Sequence, residues 1–169
     1  TNSAIATLTR LLDIGLEPYL IASSLNFIIT QRLVKIICPK CKKEIEPDSQ
    51  LVGKFKVYLD KYGISKFYKG QGCAHCDFTG YFGRVAIFEM LKITDRIKNL
   101  IATKISEEMI LREAVDSGFK FLAESGIQKV KKGITTLEEV SRVADVMDIV
   151  LETQIIKEEA AVHVDSILI

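Results

Sequence analysis

The spacing of apolar residues along the chain changes between a period of three to four and a period of two, and those changes mark out its elements. Ile5, Leu8, Leu11 and Leu12 keep helical spacing behind three good N-cap residues, Thr1, Asn2 and Ser3, and Gly15 is placed to end the helix. Pro18 opens a second helix, read through Leu20, Ile21, Leu25, Ile28 and Ile29 toward Gln31 and Arg32. It is apolar around much of its circumference and is expected to be buried. Leu33 to Ile37 is rich in β-branched residues and predicts a short strand. Pro47 and Asp48 introduce a helix carrying Leu51, Val52, Phe55, Tyr58 and Leu59, closed by Gly63. Ile64 to Tyr68 and Arg84 to Leu91 predict two further strands, the second marked by Val85, Ile87 and Phe88.

Beyond Leu91 the period is helical. Thr94 caps a predicted helix with Ile97, Leu100 and Ile101 on one face. Ser106 caps the next, with Glu107 and Glu108 in its first turn, Ile105 and Ile110 placed as a hydrophobic staple, and Gly118 at its end. A third carries Phe121, Leu122, Ile127 and Val130 and finishes in Lys131, Lys132 and Gly133. Thr136 and Glu139 have capping-box spacing. The helix they start lines up Val140, Val143, Met147, Val150 and Leu151 and is expected to run into the tail. The pattern as a whole is α+β and mostly helical.

With 169 residues, 48% of them hydrophobic, the chain can bury one or two cores. Its formal net charge of +1 does not suit a dedicated nucleic-acid binder, and no nucleic-acid partner is expected. The charge is unevenly spread. Residues 1–145 hold 22 Lys plus Arg against 17 Asp plus Glu. The remainder holds Lys157 against Asp148, Glu152, Glu158, Glu159 and Asp165. No apolar run approaches the roughly 20 residues of a membrane-spanning helix, and the start has no secretory pattern. A cytoplasmic protein is expected. Because the chain begins with Thr rather than Met, it is expected to belong to a longer polypeptide.

The chemistry is concentrated in the cysteines. Cys38-Pro39-Lys40-Cys41 and Cys73-Ala74-His75-Cys76 are two Cys-x-x-Cys knuckles. Each can turn two sulfurs toward one ion, and together they make a closed tetrahedral thiolate shell, the structural form of zinc coordination. Such a shell leaves no open position for catalysis. Four thiolates around Zn²⁺ carry a net charge of −2, and Lys35, Lys40, Lys42 and Lys43 are near enough in sequence to offset it. A redox pair or two disulfides are the competing readings, though a single redox knuckle needs no second one and nothing points to secretion. His75 can stand in for a cysteine, but the complete set leaves it as an exposed loop residue. His163 has no visible partner. Phe67, Tyr68, Phe78, Tyr81 and Phe82 flank the second knuckle; they suit either base stacking or a small core around the metal. Arg32 reads as a helix-end arginine able to face a phosphate or a carboxylate. No G-x-x-x-x-G-K-[ST] phosphate loop and no catalytic triad are present.

Several stretches together resemble the C-terminal half of the type II secretion and type IV pilus assembly ATPases. They are Thr1-Asn2-Ser3-Ala4, Leu11-Leu12-Asp13-Ile14-Gly15, Ile21-Ala22-Ser23-Ser24-Leu25 and Gln31-Arg32-Leu33-Val34 with the knuckle after it. Further on come Gly72-Cys73 to Cys76, Thr79-Gly80-Tyr81-Phe82-Gly83-Arg84 and Gly133-Ile134-Thr135-Thr136-Leu137-Glu138-Glu139-Val140. The resemblance covers residues 1 to about 145. It implies that residues 1–37 end a RecA-like ATPase core, 38–83 form a zinc subdomain, 84–145 form a C-terminal strand and helical region, and 146–169 are an extension of unknown role. It further implies a full-length protein that binds ATP and Mg²⁺ and acts as a homo-hexamer at the cytoplasmic face of the inner membrane. Docked on a membrane platform, that protein would drive assembly of pilus-like fibres. The zinc ligands would be Cys38, Cys41, Cys73 and Cys76. Without the Walker motifs this chain is expected to be inactive alone. The rival function is a zinc-dependent nucleic-acid-binding module.

Overall fold

The structure, a computed structural model, describes residues 3–103 and 106–144. About half of these are helical, in a mixed α/β arrangement. The elements are α1 (Ala4–Asp13), α2 (Pro18–Ser24), β1 (Phe27–Ile37), β2 (Lys42–Ile45), α3 (Ser49–Tyr62), β3 (Phe67–Gly70) and β4 (Tyr81–Lys92). They are followed by α4 (Asp95–Ala102), α5 (Glu107–Asp116), α6 (Leu122–Lys131) and α7 (Leu137–Val143). β1 pairs with β4 in one two-stranded sheet, and β2 with β3 in another. Two compact units divide the described residues: those before Arg32 with those of 88–122, and Arg32–Ile87 with 123–144.

In the first unit α2 packs on α4, and α5 receives both α1 and α4. Ile5, Leu8, Ile21, Ile97, Ile101, Ile110 and Leu111 are buried there. The Ser3 side chain caps α1 by accepting from the Ala6 amide at 3.1 Å, and Thr94 caps α4 through the Ile97 amide at 3.3 Å. Ser106 stands at the N-cap of α5 but makes no side-chain cap bond there; the staple residue Ile105 lies outside the described residues. A buried carboxylate ties this unit together. Glu89 accepts from the Ala4 amide at 2.5 Å and from the Leu122 amide at 3.1 Å.

The predicted helix from Pro18 to Arg32 is half right. α2 stops at Ser24, and Leu25 is already extended, with φ −81° and ψ 135°. From Phe27 the chain is β1, which alternates: Phe27 and Ile29 are exposed, Ile28 and Thr30 buried. The apolar run looked like a helix buried on all sides because both faces of a strand carry apolar residues here, and β-branched Ile28, Ile29 and Thr30 favour the extended form. Arg32 therefore lies within β1, not at a helix end.

In the second unit the core joins Phe55, Tyr58, Leu59 and Phe67 to Ala123, Ile127, Val130, Leu137 and Val140. Residues between the two knuckles thus share one core with α6 and α7. Asp48 caps α3 by accepting from Gln50 and Leu51 at 2.8 and 3.1 Å. At its other end Gly63 sits at φ 60°, its amide bonds Asp60, and the Ile64 amide reaches back to Leu59 at 2.9 Å. This helix-closing pair of bonds explains why the strand predicted from Ile64 begins only at Phe67. β2 was not predicted; its sequence, Lys-Lys-Glu-Ile, has no apolar alternation, and it forms against β3 with Lys42 opposite Gly70 and Ile45 opposite Phe67. Thr136 caps α7 through the Glu139 amide at 3.3 Å. The Glu139 carboxylate does not close the predicted box. It accepts instead from the Lys35 amide at 2.9 Å and from Arg142 at 3.0 and 3.2 Å, because charged partners bind a carboxylate more strongly than one amide does. α7 ends at Val143, with Ala144 extended; Met147, Val150, Leu151 and His163 lie outside the described residues.

Candidate metal centre

β1 delivers Cys38, and its amide donates to the Gly80 carbonyl at 2.9 Å. Cys41 turns back on Cys38, its amide 3.3 Å from the Cys38 carbonyl, and β2 follows at once. β3 returns the chain to the same place: opposite Lys42 it ends at Gly70, and the Gln71 amide donates to the Cys41 carbonyl at 3.0 Å. Cys73 and Cys76 bracket a single turn of 3₁₀ helix, after which β4 starts at Tyr81. The base of the β2–β3 hairpin and the ends of β1 and β4 therefore converge on the four cysteines.

None of the four is in a disulfide. Cys38 and Cys73 sulfurs are 3.9 Å apart, Cys41 and Cys76 3.8 Å, and Cys73 and Cys76 3.8 Å. The whole set lies within 4.8 Å. A disulfide needs about 2.05 Å. A tetrahedron of sulfurs about 2.3 Å from a zinc ion has edges of about 3.8 Å. The cluster is positioned to hold one metal ion. Cys38 and Cys76 are buried, Cys41 and Cys73 half-buried.

Backbone amides aim at the sulfurs. Burial pushes the Cys76 thiol up, but the Cys73 and Gly80 amides and the Cys73 and Cys41 thiols outweigh it and bring it down from 9.0 to about 6. Burial pushes Cys41 up to about 11, helped by hydrogen bonds to the other three cysteines and opposed by the Gly72 amide. Sulfurs this close cannot all ionise without a cation between them. The loops reach this density through glycine. Gly70 and Gly80 press backbone to backbone: a Cβ on Gly80, which sits at φ 77°, would lie 2.5 Å from the Gly70 oxygen.

The basic residues do not all serve the sulfurs. The Lys42 ammonium donates to the Gly133 carbonyl at 2.6 Å and lies 4.4 Å from the Tyr68 ring centre. Lys35 pairs with Glu139 at 3.7 Å. Lys40 and Lys43 are exposed. His75 is exposed and stacks on Phe82, ring centres 4.3 Å apart, outside the ligand set. The aromatic group divides: Phe67 joins the core, the Tyr81 hydroxyl is 3.1 Å from that of Thr136, and Phe78 and Phe82 face solvent.

The roles of three buried carboxylates, Glu89, Glu124 and Glu139, went unread in the sequence. Glu89 gave a signal, a lone charge between Phe88 and Met90 in an apolar strand. Glu124 gave none, because its partners Lys61 and Tyr62 are distant in sequence; Glu139 was read only as a capping-box residue, and its bond to the Lys35 amide, 104 residues away, had no sequence signal. Glu124 accepts from the Tyr62 hydroxyl and from Lys61 at 3.2 Å; burial and that bond raise the Tyr62 pKa above 10.0. Burial alone would raise Glu139, but Arg142 and the Lys35 amide outweigh it and hold the carboxyl below 4.5.

Fold and site together define a mixed α/β chain with four thiols positioned to hold one metal ion, and with no helix among the described residues long and apolar enough to cross a membrane. Residues 1–142 match the family described as type II/IV secretion system protein, and the chain belongs to that family. It is 43% identical over 141 residues to the type IV pilus assembly ATPase PilB of Myxococcus xanthus, covering 83% of this chain and 25% of that protein. Against the type II secretion system protein E of Pseudomonas aeruginosa it is 38% identical over 146 residues, covering 85% and 28%. Against the type II secretion system ATPase E of Vibrio cholerae the figures are 38% over 143 residues, 85% and 28%. The chain thus spans about a quarter of the length of these relatives.

Proposed function

We propose that the chain is the zinc-stapled, non-catalytic C-terminal part of a secretion or pilus-assembly ATPase. The observation that carries this is a four-thiol cluster at tetrahedral spacing inside a family match over residues 1–142. Four thiolates suit zinc and leave no open position, so the ion is structural. When bound, it supplies a closed-shell cross-link between the knuckles; Cys38, Cys41, Cys73 and Cys76 hold it, and the Gly72, Cys73 and Gly80 amides orient the sulfurs. In this reading residues 1–37 complete a RecA-like core, 38–83 are the zinc subdomain, 84–145 the C-terminal strand and helical region, and 146–169 an extension. The full-length protein binds ATP and Mg²⁺, works as a homo-hexamer on an inner-membrane platform at its cytoplasmic face, and couples hydrolysis to assembly of pilus-like fibres. The names of the relatives, which include ATPases of both machines, support this.

This sequence has no phosphate loop to cradle the β- and γ-phosphates, so hydrolysis is not expected from it alone. The test is elemental analysis and phosphate release on the purified chain. One zinc per chain and no turnover are expected; a metal-free chain, or robust turnover, overturns the reading. Exposed Phe78 and Phe82 near Arg84 favour the second reading, a nucleic-acid-binding module. Tight binding of single-stranded DNA that weakens steeply with salt would establish it.

A further inference from the structure

The frame around the four cysteines does not depend on what their sulfurs bind. Each cysteine is anchored to a neighbouring segment by a backbone bond. The Cys38 amide donates to the Gly80 carbonyl at 2.9 Å, and the Gln71 amide to the Cys41 carbonyl at 3.0 Å. The Phe78 amide donates to the Cys73 carbonyl at 3.0 Å, and the Thr79 amide to the Cys76 carbonyl at 3.0 Å. Within this frame the sulfurs pair across the knuckles. Cys38 meets Cys73 at 3.9 Å and Cys41 meets Cys76 at 3.8 Å, so every sulfur has a partner at once. Cys73 also lies 3.8 Å from Cys76, but that pairing takes the cross-knuckle partner from both Cys38 and Cys41. Closing such a gap to the 2.05 Å of a disulfide moves each sulfur by about 1 Å, which side-chain rotation supplies with the backbone bonds intact.

Exposure divides both cross-knuckle pairs in the same way. Cys73 and Cys41 are half-buried, and their partners Cys38 and Cys76 are buried. One sulfur of each pair is open to a small oxidant, and the other is sheltered beside it, ready to resolve the product.

We propose that a hydroperoxide converts the centre into two disulfides, Cys38–Cys73 and Cys41–Cys76. In each pair the half-buried sulfur attacks a peroxide oxygen. The O–O bond breaks, the far oxygen leaves as water, and the cysteine becomes a sulfenic acid. The buried thiol then attacks that sulfur. The S–S bond forms, the S–O bond breaks, and the second oxygen leaves as water. Two thiols and one hydrogen peroxide thus give one disulfide and two waters, the thiols losing the two electrons that the peroxide gains. A disulfide sulfur offers no thiolate to a metal, so the oxidised and metal-bound forms exclude each other. Both forms tie Cys38 and Cys41 to Cys73 and Cys76, and the base of the β2–β3 hairpin stays closed in either. What oxidation displaces rests on the zinc reading; the pairing rests on the sulfur geometry.

The test treats the purified chain, first assayed for zinc, with hydrogen peroxide. With remaining thiols blocked, trypsin separates Cys38 from Cys41 by cutting after Lys40, and fragmentation of the linked peptides assigns Cys73 and Cys76. Both cross-knuckle disulfides and release of the zinc are expected. Amide exchange in α6 and α7 should stay within about threefold of the untreated chain, against at least about a hundredfold acceleration in the reduced, chelated chain. Disulfides within a knuckle or between molecules, sulfinic acids in their place, or thiols that survive excess peroxide overturn the proposal. So does exchange in α6 and α7 as fast as in the chelated chain. A chain without zinc at the outset overturns the zinc reading instead, and the same mapping on it still decides the pairing.

Discussion

Removing the metal should loosen one unit of the chain and spare the other. Cys38 and Cys73 are 35 residues apart, as are Cys41 and Cys76. A cross-link closing a loop of that length takes about 4 kcal/mol of conformational freedom from the unfolded chain. Its loss should raise the opening constant of the stapled region by a factor of several hundred, at about 1.4 kcal/mol per tenfold. Opening cannot stop at the loops. Phe55, Tyr58, Leu59 and Phe67 share a core with Ile127, Val130, Leu137 and Val140, so α6 and α7 should open with α3 and the β2–β3 hairpin. Ile97, Ile101, Ile110 and Leu111 lie in the other unit, so α4 and α5 should keep their protection. The assay is hydrogen exchange with and without a chelator, repeated on Cys76→Ser. Equal acceleration in α4 and α5, or none in α3, α6 and α7, would refute the reasoning.

Three further outcomes follow from named contacts. Gly80→Ala should cost at least about 1–2 kcal/mol for the left-handed backbone alone, with more from the contact with the Gly70 carbonyl; denaturant unfolding and zinc content should both fall, and an unaltered variant would contradict the packing described. Phe55→Ala, in a fully buried position, should cost about 3–5 kcal/mol by the same unfolding measurement. Glu139 has a folded pKa below 4.5, so its stabilising effect is complete above that value and disappears as pH falls through the lower folded value; acid unfolding of Glu139→Gln should be correspondingly flatter, and parallel curves for the two proteins would count against the Lys35–Glu139–Arg142 arrangement.

Elements with local signals were legible. Ser3, Asp48, Thr94 and Thr136 cap the helices they were expected to cap, because a cap depends on residues within one turn. The cysteine spacing was legible for the same reason. What failed was non-local. β2 exists only because β3 lies beside it. Phe27 and Ile29 are exposed on β1, so the run containing them imitated a buried helix. Lys42 was expected near the sulfurs and instead bonds Gly133, 91 residues away.

A metal ion held by the four thiols would also do what a hydrophobic core does poorly, which is to fix register. Cys38 directly follows β1, and its amide bonds the Gly80 carbonyl just ahead of β4; Lys42, next to Cys41, pairs with Gly70 at the end of β3. β2 and β3 hold only four residues each, and only Ile45 and Phe67 among their pairs are both apolar. Burial therefore specifies that hairpin weakly, and a slip of one residue would move every side chain to the opposite face. Such a slip would also carry Cys41 away from Cys76, whose sulfurs stand 3.8 Å apart. A bound ion resists that displacement directly. With a metal bound, the thiolates would choose the strand pairing, and the pairing in turn would set where α3 can meet α6 and α7.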